Sequence, residues 1–127
     1  MATTTYTSIN IKALRTDKYP FGPWLFQRSS TYTLFLGADI SIAATTLAQI
    51  IGGTAPSIES IVTVQFLLIY PNKNIRIGLH GVNAQTAPGF TLNLDSACMI
   101  DNCSMTSLNI YNTSNAAANV FIAIGGV

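Results

Sequence analysis

Apolar residues recur at every second position in one stretch of this chain after another, and that period constrains the fold more than any other feature. Ile9, Ile11 and Ala13 alternate with Asn10 and Lys12, and Tyr32, Leu34 and Leu36 alternate with Thr31, Thr33 and Phe35. Val62, Val64, Phe66, Leu68 and Tyr70 form a long row that is expected to point inward. Ile75, Ile77 and Leu79 follow the turn PNKN, and Phe90, Leu92 and Leu94 follow the loop NAQTAPG. Two further strands are expected, from Thr106 to Tyr111 and from Asn119 to Ile124. Successive side chains of a strand point to opposite faces, so this alternation describes half-buried strands. Gly, Pro, Asn and Ser punctuate the rows at the places where the chain must turn.

Short strands separated by frequent turns predict an all-β fold, specifically a single antiparallel β-sandwich of jelly-roll type. One segment competes with this pattern. ADISIAATTLAQIIGG, residues 38 to 53, places Ile42, Leu47, Ile50 and Ile51 near helical spacing before a Gly-Gly stop, which predicts one short helical turn. With 127 residues the chain fits one domain. Residues 31–127 are expected to form its body, and residues 1–30 a strand with an irregular aromatic and proline-rich arm. In LRTDKYPFGPWLFQRSS, residues 14 to 30, two prolines and a glycine are expected to break any strand.

Composition narrows the function classes. Charged residues make up 9% of the chain against 49% apolar ones, far below the roughly 25% charge of an ordinary globular domain. A membrane helix would need about 18 consecutive apolar residues, and the longest candidate, Ile61 to Tyr70, is interrupted by Thr63 and Gln65. Low charge without a membrane span predicts a protein that covers its surface by assembly. The formal net charge of +1 offers no field for nucleic acid or anionic lipid. MATTTYTSIN lacks the cationic start and apolar core of a signal peptide, so the mature chain is expected to begin in the cytoplasm of its producer.

Residues that could perform chemistry are few. His80, the sole histidine, has no second ligand at a useful spacing and is expected to close a strand on the face of Gly78 and Arg76. Cys98 and Cys103 lack the four-ligand set of a structural zinc site. They are expected as buried free thiols, with a local disulfide the lesser reading. Asp17, Asp39, Glu59, Asp95 and Asp101 do not cluster in sequence, and Asp95 and Asp101 are expected to serve turns. Asn102-Cys103-Ser104 and Asn112-Thr113-Ser114 match the glycosylation sequon, as an Asn/Ser/Thr-rich chain will by chance. No catalytic residue, metal site or cofactor is therefore assigned, and a non-enzymatic role is expected.

The densest functional signal is the arm. Tyr19, Phe21, Trp24 and Phe26 crowd together with Lys18 and Arg28 nearby. Aromatics so placed are expected to pack against a neighbouring subunit, giving Tyr19, Phe21, Trp24, Phe26 and Arg28 as interface residues. Aromatic faces flanked by cations also stack on sugars, which keeps a carbohydrate ligand as the alternative.

From Leu47 onward the order LAQIIGGTAP, IVTVQFLLIYP, NIRIGLHGVNAQTAPGFTLNLDSA and LNIYNTSNAAANVFIAI resembles small tailed-phage virion structural proteins. The likeness lies in an arginine-bearing turn at Ile75-Arg76-Ile77-Gly78 and a loop at Thr86-Ala87-Pro88-Gly89 leading to Leu92. It continues in the strand end Leu94-Asp95-Ser96 and the late hairpin turn Asn112-Thr113-Ser114. Asn93 stands where the pattern carries glycine. The resemblance covers about two thirds of the chain and implies a component of the virion, made in the host cytoplasm. The role it implies is a capsid decoration or cement protein that joins capsid subunits. Its partners would be a major capsid protein and further copies of itself, as a homotrimer or higher oligomer. The alternative is a carbohydrate-binding β-sandwich attached to a tail or fibre.

Overall fold

The computed structural model of the chain describes residues 3–14, 20–51, 61–87 and 89–127, and every regular element among them is a β-strand. In chain order these are β1 (Thr3–Leu14), β2 (Pro20–Tyr32), β3 (Leu34–Ile42), β4 (Leu47–Ile51) and β5 (Val64–Pro71). They continue as β6 (Ile75–Leu79), β7 (Phe90–Leu92), β8 (Cys98–Met105), β9 (Leu108–Asn112) and β10 (Ala118–Gly126). The all-β expectation holds. The short helical turn does not: residues 38 to 51 are divided between β3 and β4, joined by a turn in which Thr45 adopts φ 49°. Ile42, Ile50 and Ile51 are β-branched and stiff at χ1, which favours the pleated alternative once strand partners exist.

Eight strands form two four-stranded antiparallel sheets, ordered β3-β10-β5-β8 and β4-β9-β6-β7. The side chains buried between the two sheets belong to one cluster. Ile42, Val64, Leu67, Ile69, Ile122 and Ile124 come from the first sheet, and Ile50, Ile75, Ile77, Leu108 and Ile110 from the second. Burying a Leu or Ile side chain stabilises by about 1.5–3 kcal/mol, so this cluster is the main adhesive of the body.

The long row of β5 is not the one alternation predicts. Val62 precedes the strand and is 69% exposed, and Tyr70 is 45% exposed. The pairing of β5 with β8 shifts register between Val64 and Phe66. Beyond that irregularity Leu67 and Ile69 point into the core, while Phe66, Leu68 and Tyr70 occupy the outer face. A bulge changes which parity faces inward, and nothing in IVTVQFLLIY announces it because both parities are apolar.

Two buried asparagines hold the connections. Asn112 donates to the carbonyls of Ile42 (3.0 Å), Ala43 (3.1 Å) and Ala116 (2.8 Å), and its Oδ1 accepts from the Ser114 amide and hydroxyl. Asn109 donates to Val82 O at 2.7 Å and accepts from Ala84 N at 2.8 Å, fastening the loop after β6. A Cβ on Gly78 would lie 2.6 Å from Asn109 Oδ1 and collide with Val82 O. The glycine of the IRIG run therefore makes room for this loop.

Residues 14 to 30 also depart from expectation. β2 runs through Pro20, Gly22 and Pro23 and pairs with β1 from Tyr32↔Thr3 to Pro20↔Leu14. Between Ile11↔Trp24 and Ala13↔Phe21 the register shifts, so Gly22 and Pro23 together oppose Lys12. Proline is tolerated at the first residue of a strand and at a bulge, and these are the two places it occupies. The β1–β2 ribbon pairs with neither four-stranded sheet, and Thr33 alone separates β2 from β3.

Candidate interaction surface

The residues with chemical potential lie apart. His80 follows the last residue of β6 with φ 52°, is exposed, and donates its amide to Ser107 O at 3.0 Å. It closes the strand, as expected. Because it sits in the left-handed turn, strand alternation no longer assigns it to the face of Arg76. Asp95 also has positive φ (59°) and donates its amide to Pro71 O at 2.9 Å, which is turn work. Asp101 differs from expectation: it lies inside β8 and accepts a hydrogen bond from the Tyr32 hydroxyl at 2.8 Å. Asp17 and Glu59 lie outside the described residues.

Cys98 and Cys103 are free thiols, both on β8, and half-buried where full burial was expected. Burial pushes both thiols above their ordinary pKa; at Cys103 a backbone hydrogen bond opposes the rise in part, and the nearby Asp101 charge adds to it by less. Protonated thiols are weak nucleophiles. Asn112 is fully buried with its amide engaged, so the second sequon cannot present a glycan acceptor. Among the described residues no three His, Cys, Asp or Glu side chains converge as a metal site, and no helix is long and apolar enough to cross a membrane.

What the fold does gather is apolar surface. On the outer face of sheet β3-β10-β5-β8 the register aligns Phe35, Gly125, Phe66 and Asp101 in one row. The next row holds Gly37, Ala123, Leu68 and Met99, and the one beyond holds Asp39, Phe121 and Tyr70. Tyr32, the last residue of β2, is buried over the first row. Its ring lies 6.3 Å from Phe35 and 6.1 Å from Phe66, in the tilted and offset range favoured by aromatic quadrupoles. A Cβ on Gly125 would come within 2.7 Å of that ring. Gly125 thus makes room for Tyr32 to cross β10 and β5 and reach Asp101. The rows beyond stay open: Phe121 is 38% exposed and Met99 36%.

The arm residues fall into one arrangement on the ribbon. Cross-strand partners share a face of a two-stranded sheet. The backbone register pairs Ile9 with Phe26, Ile11 with Trp24 and Ala13 with Phe21, and the side chains of these residues lie outside the described ones. Arg28 pairs with Thr7, and Tyr32 with Thr3. Tyr6, paired with Ser29, and Gln27, paired with Ser8, are exposed. Tyr19 lies outside the described residues. The sequence singled out Phe21, Trp24, Phe26 and Arg28, but as an irregular arm. It did not reveal the outer sheet face, because Phe66, Leu68 and Tyr70 read as members of an inward row and Phe35 as one of a row with Thr31 and Thr33.

Comparison with known proteins finds no family model, no curated relative and no solved structure that matches this chain. The phage-virion resemblance is carried by its motifs alone.

Proposed function

We propose that this chain is a non-enzymatic structural component of a phage particle, a capsid decoration or cement protein that self-associates and joins capsid subunits. The observation that carries this reading is the nesting of its strand pairs. β3 pairs with β10, β4 with β9, β5 with β8 and β6 with β7, all antiparallel. That nesting is what a long antiparallel ribbon folded over on itself produces. It supports a β-sandwich of jelly-roll type, an architecture that recurs in viral capsid and lectin domains. The single core drawn from both sheets supports the sandwich.

An outer sheet face on which Tyr70, Phe121 and Met99 stay exposed favours assembly over catalysis. A lasting contact needs complementary surface of about 1,000 Å² or more in total and no reacting group. The major capsid protein would be the principal partner and the virion the site of action.

Co-sedimentation with capsids of the source phage tests the reading. The full chain is expected to pellet with capsids, and a chain lacking residues 1–28 is expected to stay in the supernatant while its far-UV circular dichroism remains that of a β-protein. Failure of the full chain to bind capsids, together with quenching of Trp24 fluorescence by a glycan, would replace this reading with the carbohydrate-binding module.

A further inference from the structure

We propose that β3 pairs edge to edge with β3 of a second copy of this chain, antiparallel about a two-fold axis at Ala38, so that two β3-β10-β5-β8 sheets become one. The inference deepens the self-association in the proposed function and rests on it, naming the strand by which copies meet.

The outer strands of the two four-stranded sheets are β3, β8, β4 and β7. An edge strand offers unpaired N–H and C=O groups to any strand that can align with it, and proteins close such edges with short or bulged strands. Three of the four edges are closed in this way. β7 is three residues long, and β4 is five with a register shift between Gln49 and Ile51. β8 breaks its ladder between Asp101 and Met105, and Asn102 within the break has φ 55°. β3 carries no such device. Its nine residues, LFLGADISI, contain no proline and no cation, and they pair with β10 from Leu34↔Gly126 to Ile42↔Ala118 without a shift. Every second residue of an antiparallel strand turns its N–H and C=O away from its neighbour. Among the described residues no strand pairs with this far side of β3, and no hydrogen bond outside the β10 ladder reaches Leu34 to Ser41.

The core is also unfinished along this edge. Leu36, Ala38 and Ile40 stand beside Ile124, Ile122 and Val120 of β10. Those three β10 side chains are fully buried, whereas Leu36 and Ile40 are half-buried and Ala38 is exposed. A strand added outside β3 would cover them.

A second copy fits because β3 complements its own reverse. About Ala38 the pairs are Leu34 with Ile42, Leu36 with Ile40, Phe35 with Ser41 and Gly37 with Asp39. Core-side residues thus meet core-side residues, and the strand's single charge faces glycine. A two-residue slip one way sets Asp39 against Asp39, and like charges directly opposite are destabilising. A slip the other way leaves Ser41 and Ile42 unpaired.

The size of the contact sets its strength. Nine residues extend about 30 Å at about 3.3 Å each, and a sheet is about 10 Å thick. Each copy then buries about 300 Å², and about 600 Å² in total belongs to weak, transient contacts. About eight backbone hydrogen bonds form across the axis, each replacing bonds to water and so contributing modestly. A dissociation constant of about 10–100 μM is expected. Copies held side by side on a common surface reach millimolar effective concentrations. The pairing would therefore complete on the particle, where one continuous sheet bridges neighbouring capsid subunits.

Light scattering over a concentration series of the full chain and three variants tests the proposal. Ala38→Lys sets two cations together on the axis and is expected to weaken the dissociation constant at least about tenfold. Gly37→Lys meets Asp39 of the second copy twice and is expected to tighten it about three- to tenfold, whereas Gly37→Asp is expected to weaken it by a similar factor. Ala38 and Gly37 are exposed, and the nearest atom to a Cβ on Gly37 is Phe121 Cζ at 3.9 Å, so the fold accommodates the variants. Should circular dichroism show Ala38→Lys unfolded, the opposed Gly37 pair decides. Association undiminished in Ala38→Lys and Gly37→Asp would overturn the β3 edge and leave self-association through another surface. A shift in the same direction for both Gly37 variants would overturn the pairing about Ala38. An unaltered chain that is monomeric up to about 0.5 mM yet pellets with capsids would overturn the β3 contact and leave the capsid reading standing.

Discussion

Asn112 accounts for more of the body's organisation than any charged residue. It is fully buried, and its amide reaches the carbonyls of Ile42 at the end of β3, Ala43 in the β3–β4 connection and Ala116 in the β9–β10 connection. Removing such a side chain leaves several polar groups unpaired in a dry environment, which costs more than the bonds themselves stabilise. Asn112→Ala is expected to lower stability by about 2–4 kcal/mol, read from the urea midpoint. The two thiols bear on pH. Burial raises the folded-state pKa of Cys98 and Cys103, so the folded chain holds these protons more tightly than the unfolded chain. Their contribution to stability is complete below the ordinary thiol value of about 8.5 and is lost as pH rises through it toward the raised values. Stability measured from pH 7 to 10 is expected to decline above about pH 8.5, and the decline to lessen in a Cys98→Ala, Cys103→Ala chain.

At the scale of elements, β5 is where parity matters most. The register shift after Val64 sends Leu67 into the common core and Leu68 to the outer face. Leu67→Ala is expected to cost about 2–5 kcal/mol through lost burial and a residual cavity. Leu68→Ala, half-buried and able to relax toward solvent, is expected to cost less than about 2 kcal/mol. Equal costs for the pair in denaturant titrations would mean that the shift is absent. The ribbon is organised by the same device. Its register shifts between Ile11↔Trp24 and Ala13↔Phe21, so that Gly22 and Pro23 together oppose Lys12.

For the whole molecule, scarcity of charge sets the character of any assembly. With five acidic and six basic side chains and a formal net charge of +1, long-range repulsion between copies is small. Contacts through Phe121 and Tyr70 would be chiefly apolar, and apolar contacts are not screened by salt. The oligomer's mass by light scattering is expected to be the same at about 0.05 M and about 1 M salt, over which the Debye length falls to about 3 Å. Dissociation at high salt would assign the contact to ion pairs.

Period-2 alternation and turn residues determined the all-β class, the strands at β6, β7, β9 and β10, and the strand-closing position of His80, because these depend on local backbone geometry and nearest neighbours. The aromatic crowding of Phe21, Trp24 and Phe26 was legible for the same reason. Which face each apolar row serves was decided only by tertiary structure. In IVTVQFLLIY both parities are apolar, so a single bulge fixes which of them is inside. Residues 38 to 51 fit two local periods, and pairing with β10 and β9 selects the strand. Pro20 and Pro23 weaken a strand in isolation, yet a strand start and a bulge accommodate them once β1 is opposite. Tyr32 with Asp101, 69 positions apart, and the outer rows of Phe66, Leu68 and Phe121 arise from chain crossings. No local pattern encodes such crossings, because their energy lies in contacts between residues that meet only after the sheets have formed.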